Sequence, residues 1–137
     1  MQASATWKPG KDNPQEYDGL THSGHTVHMD ASPEHTTGPS PMELVLMALC
    51  GCTAVDVVSI LQKKREPFTG LTVSAVAEQA AEPPRIFTHI RLTYRVSGAV
   101  SPKAMEDAVR LSKTKYCSVS QMLEKAAKIE AVIEYNG

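Results

Sequence analysis

The chain has 137 residues, 42% hydrophobic and 21% charged, which fits one globular domain over 1–137 with its own core and excludes a disordered chain. A formal net charge of -1, with no basic run beyond Lys63-Lys64-Arg65, gives no electrostatic footprint for nucleic acid or an anionic membrane, so small molecules and protein partners are expected. Three cysteines, an odd number in a chain too long to need stapling, leave metal binding, catalysis or plain burial as their uses.

The N-terminal stretch MQASATWKPGKDNPQEYDG has no basic region followed by an apolar core and a small-residue cleavage site, so a cytoplasmic protein is expected. Over residues 1–30, Trp7, Tyr17, Leu20 and Val27 alternate with turn formers, which predicts short antiparallel strands with a hairpin turn at Ser23-Gly24. Ala31 to Pro39 is polar and rich in breakers, hence a loop.

Ser40-Pro41-Met42-Glu43 predicts a helix start. Serine caps, proline suits the first helical position, and glutamate three residues after the cap completes a capping box. The helix should run to about Lys64, where Lys63, Lys64 and Arg65 complement the negative end of its dipole and Pro67 prevents continuation. Its run from Leu44 to Leu61 approaches the length of a membrane span. It also contains Gly51, Thr53, Asp56 and Ser59, and an aspartate in mid-bilayer is costly, so it reads as the centre of a globular assembly. With no wide polar face, this helix must be covered by sheet, by other helices or by a second copy of the chain.

From Leu71, alternation predicts a strand with Leu71, Val73, Ala75 and Ala77 on one face and Thr72, Ser74 and Val76 on the other. After a bend at Pro83-Pro84, Arg85 to Val96 should pair with it as a hairpin, with Ile86, Ile90, Leu92, Tyr94 and Val96 inward. Ser101-Pro102 opens a second helix to about Thr114, with Met105, Ala108, Val109 and Ser112 along one stripe. Ser118 to Gln121 reads as a further capping box opening a short helix, and Ile129, Ala131, Ile133 and Tyr135 alternate along a last strand. The fold class is α+β.

Cys50 and Cys52 lie in MALCGCTAVDVVSIL. On a helix they point roughly 160° apart and cannot bond to each other. Cys-x-Cys is also a poor chelate for zinc. Cys117 sits just before the Ser118 cap, where unpaired amides and the positive dipole end favour a thiolate. Asp56, one turn after Cys52, disfavours a thiolate there, so it must be paired elsewhere, face away or cap something buried. From spacing alone, small buried core residues and redox-active thiols both remain readings of Cys52 and Cys117.

Whole segments narrow the choice. SPMELVLMALCGCTAVDVVSIL resembles the central helix of the OsmC/Ohr family, the osmotically induced protein C and organic hydroperoxide resistance proteins. KYCSVSQML, at 115 to 123, is similar to that family's second cysteine motif. The resemblance covers most of residues 20 to 137 and implies antiparallel sheets wrapped around paired central helices in an intertwined homodimer. It further implies a peroxidatic Cys52 and a resolving Cys117, acting on hydroperoxides in oxidative or osmotic stress defence and reset by an external dithiol of lipoyl or other type. No cofactor and no metal ligands are expected.

Two departures accompany it. No arginine precedes Arg65, and Met42 stands where the peroxidase branches carry a glutamate. Glu43 is the nearest candidate for that glutamate, although an unbroken helix puts it roughly 13 Å from Cys52 along the axis. His22, His25, His28 and His35, or Arg85, are candidate cations in place of the arginine. The alternative function is a non-catalytic dimer of the same fold that binds a small apolar ligand at the subunit interface.

Overall fold

A computed structural model describes all residues 1–137. The element order is β1 (Ala3–Trp7), β2 (Glu16–Thr21), β3 (Thr26–Asp30), α1 (Pro41–Lys63), β4 (Phe68–Gln79), β5 (Phe87–Gly98), α2 (Pro102–Leu111), a π-helical turn (Ser112–Tyr116), α3 (Ser118–Leu123) and β6 (Lys128–Asn136). This is the α+β class expected. The chain divides into two compact units, Met1–Leu46 and Met47–Gly137.

The N-terminal unit is a three-stranded antiparallel sheet in the order β1-β2-β3. Gly24, at φ 92°, makes the turn between β2 and β3, a left-handed conformation that glycine adopts without a Cβ clash. The loop that follows is organised by Asp30, which is fully buried. Its carboxylate accepts from Asn13 Nδ2 at 3.0 Å, Ser32 N at 2.9 Å, and Thr37 N and Oγ1 at 3.1 Å each. Donors from Ser32 and Asn13, chiefly, hold this carboxyl well below the usual range.

At the start of α1 the capping box forms as read: Glu43 N donates to Ser40 Oγ at 3.1 Å and Ser40 N donates to Glu43 Oε1 at 2.8 Å. By length and composition α1 is apolar enough to cross a membrane, a test that core helices of globular proteins also pass. Its fully covered residues are Leu49, Thr53, Val57 and Leu61, one every fourth position and hence one face.

In the second unit the sheet order is β4-β5-β6. β4 and β5 form the expected antiparallel hairpin, whereas β6 runs parallel to β5. A parallel neighbour needs a crossover, and α2, the π turn and α3 supply it. Ile90, Leu92, Tyr94 and Val96 face the core as their alternation predicts, and so does the stripe Met105, Ala108, Val109 and Ser112 on α2. Ile86 does not. The register slips by one residue between Glu78 and Gln79 against β5, and such a bulge reverses which side chains point inward. Phe87 is therefore buried while Ile86 lies outside the strand and is exposed.

Candidate active site

The second unit brings Cys52 and Cys117 together. Cys52 lies on α1 and is half-buried, and Cys117 is buried at the junction of the π turn and α3. Their thiols are close enough to interact. Burial pushes the Cys117 thiol up, an amide hydrogen bond from Ser120 opposes this, and the hydrogen bond and charge of Cys52 raise it further.

The capping box anticipated at Ser118 takes another form. Cys117 is itself the cap: its Sγ accepts the Ser120 amide at 3.4 Å. Gln121 turns away and donates from Nε2 to the Lys113 carbonyl at 2.9 Å. The expectation that the helix start would favour a Cys117 thiolate is overturned, because the sulfur has no exposure to solvent and desolvation outweighs the one amide donor.

Behind the thiols runs a chain of buried hydroxyls that sequence reasoning missed. Thr53 Oγ1 lies 2.7 Å from Tyr94 Oη and 2.7 Å from Ser112 Oγ, and Ser112 donates to Asp56 Oδ2 at 2.8 Å. The direction of every hydrogen follows. A carboxylate only accepts, so the single hydrogen of Ser112 goes to Asp56, that of Thr53 to Ser112 and that of Tyr94 to Thr53. Asp56 is thus paired elsewhere, one of the three options its position left open. Tyr94 is pushed up to about 12, first by burial. The available signal was three hydroxyls at core positions, a threonine on the apolar helix, a tyrosine inward on β5 and a serine on the α2 stripe, since buried polar groups require partners.

Ser112 also acts through its backbone. Its carbonyl accepts the Cys117 amide at 2.8 Å, closing the π turn that separates the two residues. Beside this junction lies a cleft of about 340 Å³ with apolar walls from Ile60, Leu111 and Tyr116 and polar ones from Asp56, Lys63 and Lys64. Two of its walls neighbour the cysteines in sequence, Asp56 one helical turn beyond Cys52 and Tyr116 directly before Cys117, while neither cysteine lines it.

The remaining candidates are placed as follows. Cys50 is half-buried, and burial pushes its thiol up. Glu43 is committed to the Ser40 amide, which holds its carboxyl below the ordinary value. His28 is clamped between Asp18, 2.7 Å from Nδ1, and Glu16, 2.9 Å from Nε2. His35 Nδ1 lies 2.9 Å from the Asp30 carbonyl oxygen. His22 and His25 are exposed on the β2–β3 hairpin. Arg85 donates from Nε to the Ala80 carbonyl at the tip of the β4–β5 hairpin, at 3.0 Å.

Residues 33–132 match the family model described as OsmC-like protein, a span that crosses the boundary between the two units. Protein YhfA of Escherichia coli K12 is 46% identical over 130 residues, covering 94% of this chain and 93% of that protein. A hypothetical protein from Aquifex aeolicus superposes with a TM-score of 0.83 at 27% identity, covering 99% of this chain and 97% of that one. An organic hydroperoxide resistance protein from Legionella pneumophila shares the fold, with a TM-score of 0.72 at 13% identity and coverage of 98% and 97%. The chain belongs to the OsmC-like protein family.

Proposed function

We propose that this chain is a thiol-dependent peroxidase that reduces organic hydroperoxides, with Cys52 as the peroxidatic and Cys117 as the resolving thiol. The observation that carries the reading is the approach of Cys52 to Cys117 inside one unit. The name of the Legionella relative supports the substrate class. Cys52 thiolate attacks the distal oxygen of the hydroperoxide, the O–O bond breaks, an alcohol leaves after taking a proton, and sulfur becomes a sulfenic acid. Cys117 attacks that sulfur, water leaves, and a disulfide forms. An external dithiol, lipoyl or other, returns both thiols by exchange and is itself oxidised.

The working unit in this reading is one domain over 1–137, assembled as a cytoplasmic homodimer. Met47 and Val55 on α1 and Val76 on β4 are large apolar side chains at least 61% exposed in the single chain, and a second copy of the chain would cover them. Stress defence, oxidative or osmotic, is the setting. The second reading, a non-catalytic dimer binding a small apolar ligand at its interface, is favoured by the lack of any arginine before Arg65 and by the commitment of Glu43 to its cap.

Stoichiometric cumene hydroperoxide added to reduced protein separates the two. The peroxidase loses two thiols per chain at once, none in Cys52→Ser, and no disulfide in Cys117→Ser. If the native protein loses thiols no faster than a denatured control, the binding reading replaces this one.

A further inference from the structure

Ser112 stands between the two cysteine-bearing segments and touches both. Its hydroxyl is held on the α1 side by Thr53, the residue next to Cys52, at 2.7 Å and by Asp56 at 2.8 Å. Its carbonyl takes the Cys117 amide at 2.8 Å. Ser112 and Thr53 are 0% and 1% exposed, so water does not compete for the bond between them.

The turn between them is a π-helical one, a form rarely extended beyond a single turn and often found at functional sites. Arg110 reinforces it by accepting from Thr114 Oγ1 at 2.7 Å. The Ser112 hydroxyl is fixed by two hydrogen bonds, accepted from Thr53 and donated to Asp56, while its backbone N–H is held by the α2 carbonyls of Ala108 and Val109. Cys117 is therefore referred to α1 through Ser112 alone among hydroxyl residues, by a path of two short hydrogen bonds.

We propose that Ser112, gripped by Thr53 and Asp56, is the positioning residue that seats Cys117 against Cys52. It touches no reacting atom. Its effect is on the effective concentration of one thiol at the other, since a disulfide needs Cβ atoms about 3.8 Å apart and a set dihedral. The proposal rests on the thiol-pair reading, although not on turnover of peroxide.

The test uses full-length protein in a Cys50→Ser background, so that Cys52 and Cys117 are the only thiols. Protein is equilibrated with glutathione buffers of graded oxidation, and the reduced and disulfide forms are quantified by acid-quenched alkylation and mass spectrometry. Electrons pass between the glutathione couple and the thiol pair, with no peroxide involved. Ser112→Ala and Thr53→Val are each expected to lower the effective concentration about tenfold, the equivalent of one buried hydrogen bond. Thr53→Ser, which keeps the hydroxyl, is expected to restore the native value. Tyr94→Phe removes a buried hydroxyl from the far end of the chain while sparing both bonds to Ser112, and is expected to leave the value unchanged.

If Ser112→Ala does not fold, Thr53→Val against Thr53→Ser decides. Equal effects of Thr53→Val and Tyr94→Phe, or no effect of Thr53→Val, overturn the positioning role. A native protein inert to hydroperoxide but showing the expected variant pattern keeps the clamp and discards the peroxidase.

Discussion

Cys117 Sγ accepts the amide hydrogen of Ser120 at 3.4 Å, so the sulfur that meets Cys52 also closes the first turn of α3. Capping by sulfur is weak, because a thiol is a poor acceptor. A serine oxygen in the same place is one of the preferred caps. Cys117→Ser should therefore be as stable as the native reduced protein or more so, whereas Cys117→Ala should lose about 1 kcal/mol through the vacated cap. Urea unfolding of reduced protein measures both. This makes serine the appropriate replacement for chemical work, since it removes the thiol and keeps the helix.

The raised Cys117 thiol sets a pH dependence for disulfide closure. Only a thiolate attacks a sulfenic sulfur, and burial keeps Cys117 protonated above its ordinary value of 9.0. Closure should accelerate about tenfold per pH unit from neutrality toward pH 9 without reaching a plateau. Quenched-flow trapping of the sulfenic form with dimedone, set against disulfide yield, follows it. A plateau below pH 8 would show that another group deprotonates Cys117.

In the N-terminal unit both ring nitrogens of His28 face carboxylates, Asp18 and Glu16, an arrangement that favours the doubly protonated imidazolium. The hydrogen bond to Asp18, then that to Glu16, raises its pKa above the ordinary 6.5. Since the folded value exceeds the unfolded one, this stabilisation is complete below about 6.5 and is lost as pH rises through the folded value. The same contact lowers Asp18, whose share is present above 3.8 and disappears as pH falls through its lowered folded value. The loss of thermal stability between about pH 6 and about pH 9 should be larger in the native protein than in His28→Gln, and an imidazole proton titration should place His28 above its ordinary value.

The proposed self-association through the exposed apolar side chains of α1 predicts a large effect from a single charge. Val55, 69% exposed in the chain alone, becomes an unpaired buried carboxylate in Val55→Asp if a second copy covers it. That substitution should weaken the dimer by about 3 kcal/mol or more, roughly a hundredfold or more in dissociation constant. Sedimentation velocity across a concentration series reads it, and an unchanged dimer would move the interface elsewhere.

Much of this architecture is legible in the sequence where the signals are local. Ser40-Pro41-x-Glu43 specifies both cap bonds of α1, and alternation through Ile90, Leu92, Tyr94 and Val96 specifies the buried face of β5. The displacement of Ile86 by Phe87 was not legible, because a bulge depends on the register of two strands rather than on either one. The hydroxyl chain was hidden for a similar reason. Thr53 and Ser112 are 59 positions apart and Thr53 and Tyr94 are 41 apart, and each residue taken alone passes for an ordinary member of its helix or strand. Cys52 and Cys117 were recognisable as a pair only through whole motifs, since spacing along the chain says nothing about approach in space.

The parallel course of β6 against β5 bears on the order in which the molecule assembles. α1 and the β4–β5 hairpin rest on contacts between near neighbours in sequence, whereas β6 reaches β5 only after the whole connection carrying Cys117 has been laid across. Closing that longer loop costs more chain entropy before any contact is gained, which makes it a late step. The connection that returns β6 beside β5 is thus the same one that carries Cys117 to its place near Cys52.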